Sequence, residues 1–153
     1  DRVECWSPGQ GVVWLERGDF RTEYRWFRPE PEQDLWCVLS AEIRLVRKDA
    51  ASVTAEMRRC LRRKKASQPI SAWTCGCVFK NPQPDRPAGM LLEQCGLKGK
   101  ELGGMAWSER HANFLVNLGS GSCEAAWELI HLARERVREK TGFCLELEVK
   151  RLS

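Results

Sequence analysis

Between Trp36 and Val46 apolar and polar positions alternate. Leu39, Ala41, Ile43 and Leu45 fall on one side of an extended chain, with Ser40, Glu42 and Arg44 on the other. Strand side chains point to opposite faces in turn, so this period of two predicts a half-buried β-strand. Val12-Val13-Trp14-Leu15 reads as an earlier strand. After Asp49, a residue able to accept the first N–H groups of a helix, the period changes. Val53, Met57, Cys60, Leu61 and Lys64 recur at helical steps to about Lys65. Gln68-Pro69 ends that helix, because proline disfavours helical backbone at the residue before it.

Cys77 to Lys80 reads as a short strand stopped by Asn81-Pro82, with Pro84 and Pro87 keeping the next loop irregular. Met90, Leu91, Leu92 and Cys95 mark a second helix, and Gly96 suits its end. Gly99 to Gly104 reads as a loop, followed by a turn at Ser108 to Arg110. From His111 to Leu118 a strand sets Phe114, Val116 and Leu118 against His111, Asn113, Leu115 and Asn117. Ser120 or Ser122 caps a long helix with the stripe Ala126, Ile130, Ala133 and Val137, and Gly142 stops it. A last strand turns Leu145, Leu147 and Val149 inward and Glu146, Glu148 and Lys150 outward. Uneven element lengths and connections that look like reversals predict an α+β fold: a small mixed or antiparallel sheet with helices packed on one face.

Length and composition fit a globular domain: 153 residues, 42% hydrophobic and 30% charged. No apolar run approaches the ~18 residues of a membrane span, and no secretory leader is visible. The net charge of +4 is unevenly spread, since Arg58, Arg59, Arg62, Arg63, Lys64 and Lys65 crowd one helix end. Cations there complement the helix dipole, and a diphosphate ligand is the other reading. Few aromatics interleave the run, which argues against nucleic acid. Cysteines at 5, 37, 60, 75, 77, 95, 123 and 144 are scattered through apolar segments, as free thiols of a reducing cytoplasm are. Cys75-Gly76-Cys77 is too tight for half of a zinc site, and with only His111 and His131 no metal centre or Ser/His/Asp arrangement is arguable.

The densest chemical signal is Gly76-Cys77-Val78-Phe79-Lys80-Asn81-Pro82. Three segments extend it: Ala88 to Gly99, Gly103 to Phe114 with Ser108-Glu109-Arg110-His111-Ala112-Asn113-Phe114 at its end, and Leu145 to Val149 with Glu146-Leu147-Glu148-Val149. In order and spacing these blocks resemble the C-terminal part of the UDP-N-acetylenolpyruvoylglucosamine reductase (MurB) family, from about Val12 onward.

That resemblance implies a bacterial cytoplasmic flavoenzyme of peptidoglycan synthesis. Hydride passes from NADPH to FAD and then to the enolpyruvyl ether of UDP-N-acetylglucosamine enolpyruvate, giving UDP-N-acetylmuramate. Cys77 matches the proton donor, usually serine; a thiol is intrinsically more acidic and suits the task. Glu148 matches the acidic residue beside the enolate. Tyr24-Arg25 matches a Tyr-Arg pair whose arginine supports the substrate carboxylate, although Phe27 stands where the family has serine. Asn81 matches a contact to the uridine nucleotide, Lys80 adds charge near the diphosphate, and His111 and Asn113 form a ligand-facing pair. His131 is structural.

No GxGxxG or comparable phosphate cradle is present in the sequence. The resemblance therefore implies that FAD is held mainly by a preceding region. Residues 1–35 would then be the end of that segment with a linker at Arg28 to Asp34, and residues 36–153 a substrate-binding domain, inactive alone. The rival reading is a stand-alone uridine-nucleotide-binding module using Lys80, Asn81 and the basic helix.

Overall fold

In a computed structural model, residues 1–30 and 37–151 are described. They form two compact units, Asp1–Ala50 and Ala51–Ser153.

The first unit is built of strands. β1 (Arg2–Ser7) pairs antiparallel with β2 (Gly11–Glu16) on one side, and with β5 (Cys37–Glu42) on the other. β3 (Phe20–Glu23) and β4 (Trp26–Pro29) form a separate hairpin. Across the larger sheet the Arg2 guanidinium pairs with the Glu42 carboxylate at 2.7 Å and covers the Trp14 ring at 4.5 Å. Cys5 is its buried thiol, and burial pushes that thiol's pKa up. Pairing with β1 places residues 37–42 here rather than with the chain that follows. The strand expected over Trp36 to Val46 is shorter than its alternation suggests: it ends at Glu42, and Leu39, Ile43 and Leu45 are exposed. Trp36 and part of the Arg28–Asp34 stretch lie outside the described residues.

The second unit opens with α1 (Ala50–Ser67), which stops just before Gln68-Pro69. Its apolar stripe is not buried; Met57 is 66% exposed, and Val53 and Leu61 are also open. Beyond it lies a four-stranded antiparallel sheet in the order β6-β9-β8-β7, made of β6 (Trp73–Cys77), β7 (Glu101–Leu102), β8 (Met105–Trp107) and β9 (Phe114–Asn117). The expected loop at Gly99 to Gly104 is a tight hairpin instead. Gly103 and Gly104 both take positive φ, the conformation a two-residue β-turn of this twist demands.

α2 (Ala88–Gln94) and α3 (Cys123–Thr141) pack with this sheet into an α+β core centred on Phe79, Leu92, Trp107, Leu115, Leu129 and Val137. The Ser122 hydroxyl accepts the Ala125 N–H at 3.1 Å to start α3, and Gly142 ends it at φ 76°. The final strand reduces to one antiparallel bridge, Phe79 to Leu147, although Leu145 is buried and Leu147 and Val149 pack against the core as the alternation predicts. All eight cysteines are free, and among the described residues no helix is long and apolar enough to cross a membrane.

Candidate active site

Cys77 is the last residue of β6, half-buried and opposite Phe114 of β9. The short strand expected from Cys77 to Lys80 thus lies earlier, at Trp73–Cys77. Its pairing slips just before the thiol: Thr74 faces Val116 and Cys77 faces Phe114, so Cys75 and Gly76 together oppose Leu115. This is a β-bulge, a local extra residue that bends a strand and re-aims its side chains. Gly76 permits it at φ 90°. The Thr74 hydroxyl bridges the gap, donating to the Leu115 carbonyl at 2.7 Å and accepting the Gly76 N–H at 3.2 Å.

Beyond Cys77 the chain remains paired, but to new partners. Val78 N–H donates to the Asn113 carbonyl at 2.9 Å. The Asn113 carboxamide then takes both polar groups of Phe79, accepting its N–H at 3.0 Å and donating to its carbonyl at 2.8 Å. Asn113 is 2% exposed. Its carboxamide therefore braces the backbone, and the ligand-facing role that alternation suggested does not hold.

On the other side, Lys80 N–H donates to the Glu146 carbonyl at 2.9 Å and Glu148 N–H to the Val78 carbonyl at 2.8 Å. The acidic segment is thereby fixed beside the residues that follow Cys77. Glu148 is half-buried and alternates with the core residue Leu147. Glu146 is exposed and carries an ion pair with the Lys80 ammonium. The Asn81 side-chain oxygen accepts the Ala88 N–H at 3.0 Å, which ties the motif's asparagine to the first residue of α2.

The His111 ring is half-buried, tilted on Phe114 with centroids 4.8 Å apart. Its Nδ1 accepts the Asn113 N–H at 3.3 Å. Burial lowers its pKa, since a desolvated imidazolium is costly. It is therefore neutral at pH 7, with its proton on Nε2 as a potential donor.

Tyr24 and Arg25 belong to the first unit, where they form the two-residue tip of the β3–β4 hairpin. Tyr24 is 60% exposed, and the Arg25 guanidinium lies 5.0 Å from its ring centroid. Arg25 takes φ 59°, a left-handed backbone that non-glycine residues adopt at a cost.

Sequence reasoning passed over Thr74. The signal was present in Thr74-Cys75-Gly76, a hydroxyl two residues before a glycine inside a strand, the pattern of a bulge with a local side-chain bridge. Along the same edge a cleft of about 760 Å³ opens between β6, β9 and the start of α3, lined among others by Trp73, Cys75, Leu115, Trp127 and Val149.

Residues 68–152 match the family model described as UDP-N-acetylenolpyruvoylglucosamine reductase, C-terminal domain. A protein of that name from Nitratidesulfovibrio vulgaris is 45% identical over 151 residues, 99% of this chain and 51% of the relative. Another, from Oleidesulfovibrio alaskensis, is 43% identical over 148 residues, 97% of this chain and 50% of its own length. The crystal structure of UDP-N-acetylenolpyruvylglucosamine reductase from Thermus caldophilus matches with a TM-score of 0.77 at 29% identity, covering 97% of this chain and 51% of that one. The chain spans about half the length of the curated relatives it matches.

Proposed function

The chain belongs to the UDP-N-acetylenolpyruvoylglucosamine reductase family, and from that premise we propose that it supplies the protonating, substrate-binding part of this reductase. The substrate is UDP-N-acetylglucosamine enolpyruvate, reduced to UDP-N-acetylmuramate in the bacterial cytoplasm for cell-wall synthesis. One observation carries the reading: the Glu148–Val78 hydrogen bond joins the Glu-x-Glu-Val segment to the backbone next to Cys77.

In this reading NADPH provides the reducing equivalents by way of FAD. The FAD is held mainly by a preceding region in this reading. Among the positive-φ glycines, Gly103 and Gly104 make a hairpin turn, Gly142 ends α3 and Gly76 permits the bulge. No residue of this chain is assigned to either cofactor.

What the chain's own residues contribute is proton and charge management. Reduction of the enolpyruvyl double bond leaves an electron pair on the carbon beside the carboxylate. The Cys77 S–H gives that carbon its proton and is left as a thiolate. Starting near pKa ~8.5, a free thiol surrenders a proton far more readily than a serine hydroxyl does. Glu148, fixed beside the thiol segment, orients the donor. Glu146, an exposed carboxylate ion-paired with Lys80, is the other acid of the segment. Arg25 offers a guanidinium that pairs bidentately with a carboxylate, with Tyr24 as packing. Asn81, Lys80 and the Nε2–H of His111 are the candidate contacts to the uridine diphosphate.

The test is a chimera in which this chain replaces the matching half of the Nitratidesulfovibrio vulgaris relative. It should oxidise NADPH only when the enolpyruvyl nucleotide is present. Cys77→Ala should lower turnover ~10²–10⁴-fold, the usual worth of a general acid, while reduction of bound flavin by NADPH persists. Full turnover by the alanine variant would remove Cys77 from the chemistry. Binding of the nucleotide with no turnover in a flavin-loaded chimera would favour the binding module.

A further inference from the structure

The Cys77 thiol is bracketed by two places where a side chain does the work of a missing strand partner. Before it, the Thr74 hydroxyl spans the bulge by joining the Leu115 carbonyl to the Gly76 N–H. After it, the Asn113 carboxamide closes on the N–H and carbonyl of Phe79. A regular β6–β9 ladder needs neither. With the slip, the positions from Cys75 onward stand one step out of the alternation that β9 would otherwise impose. A one-residue shift turns a strand side chain to the opposite face. The bulge thus decides on which face of the strand Cys77 falls, and the Thr74 hydroxyl bridges that bulge.

We infer that Thr74 is a positioning residue whose hydroxyl holds the bulge and so aims the Cys77 thiol. The inference rests on the reading of Cys77 as proton donor for its biological meaning, although the geometry stands without it. Thr74 touches no reacting atom in this scheme. It acts through the backbone at Gly76, and its methyl group is dispensable to the role.

The experiment uses the chain itself, in a Cys75→Ser background so that the peptide carrying position 77 has one thiol. Alkylation of Cys77 by iodoacetamide is followed across pH by peptide mass spectrometry, alongside amide exchange and thermal melting. Thr74→Val keeps the shape and removes the hydroxyl; Thr74→Ser keeps the hydroxyl and removes the methyl. The expected result is that valine accelerates Cys77 alkylation about threefold or more, the change that half a pKa unit or a comparable gain in access produces. Exchange at Gly76 and Val78 should rise with it, and serine should restore the parent profile.

Parent-like alkylation and exchange in Thr74→Val would overturn the inference. So would a serine variant that behaves like valine, because the methyl packing would then be the cause. If valine lowers the melting temperature, exchange localises the damage: loss confined to Gly76–Val78 supports the role, and uniform loss across β6 and β9 refutes it. A chimera that keeps full turnover with Cys77→Ala would end the chemical reading of Cys77 and leave the Thr74 result standing.

Discussion

A Cβ atom built on Gly89 would lie 3.1 Å from Cε1 of His111 and 3.5 Å from its Nδ1. The first turn of α2 therefore approaches the segment leading into β9 about as closely as a residue without a side chain permits. The ring cannot retreat freely, because it rests on Phe114 and its Nδ1 holds the Asn113 N–H. One small residue thus helps to set the ring that presents Nε2 as a donor.

Gly89→Ala would ordinarily stabilise a helix by ~0.5–1 kcal/mol. Here the added methyl meets the imidazole, so the gain should vanish or turn into a loss of about 1 kcal/mol. Gly89→Val should be worse. Removing the obstacle in Gly89→Ala/His111→Ala should return the helix gain, giving a clear coupling in a double-mutant cycle of thermal melts. Additive effects would mean that the contact is compliant.

His111 makes stability depend on pH in a definite direction. Its folded pKa is lowered by burial, so below the ordinary histidine value near 6.5 the unfolded chain binds a proton that the folded chain resists. Stability therefore falls as pH drops through about 6.5 and on to the lowered folded value. Comparing urea melts of the parent and His111→Gln at neutral and mildly acidic pH should show the glutamine variant losing less. Equal losses would assign the acid sensitivity to other groups.

Asn113→Ala should strip the Phe79 N–H and carbonyl of partners in a place where Phe79 is 1% exposed. Each buried orphan costs ~1–3 kcal/mol, so a loss of about 2–4 kcal/mol is expected in denaturant melts. Asn113→Asp refines the test. An ionised carboxylate still accepts from the N–H but opposes the Phe79 carbonyl, whereas a protonated one donates to it. Burial raises the folded pKa of this aspartate, so relative to the parent the variant should be least impaired below the free value near 3.9. Its deficit should grow as pH rises from there toward the raised value. A deficit independent of pH would show that the side chain turns away from Phe79.

The ends of α2 and α3 were legible in the sequence because single residues dictate them. Ser122 and Gly142 do at α3 what their chemistry allows, and Gly96 stands at φ 68° just past α2. The adjacency of two sequence blocks was legible too, since the backbone bond from Glu148 to Val78 brings the Glu-x-Glu-Val segment beside the motif around Cys77. Three things were not. The apolar stripe of α1 has helical spacing, but periodicity gives a face and not what covers it. The Gly103–Gly104 hairpin joins strands too short for alternation to register. The backbone-bonded carboxamide of Asn113 is the third, because Asn113 lies in the turn before β9, where strand alternation no longer sorts side chains by face.

Arg25 offers the sharpest separation of stability from the proposed chemistry. Its φ of 59° at the hairpin tip is a conformation glycine adopts without steric cost. Arg25→Gly should therefore leave the first unit as stable as the parent, or more stable by up to ~1 kcal/mol, once the greater flexibility of glycine in the unfolded chain is subtracted. In the flavin-loaded chimera the same variant should lower kcat, because a guanidinium on the substrate carboxylate strengthens as charge builds toward the enolate. Arg25→Lys keeps the charge but not the bidentate geometry and should recover part of the rate. Asn81→Ala, placed on the nucleotide end, should instead raise KM with kcat little changed, since its contact is alike in ground and transition states. Melting curves and steady-state kinetics on these three variants decide the matter. An Arg25→Gly enzyme that melts like the parent and keeps its kcat would strip the hairpin tip of its catalytic role and leave its backbone conformation a feature of the turn alone.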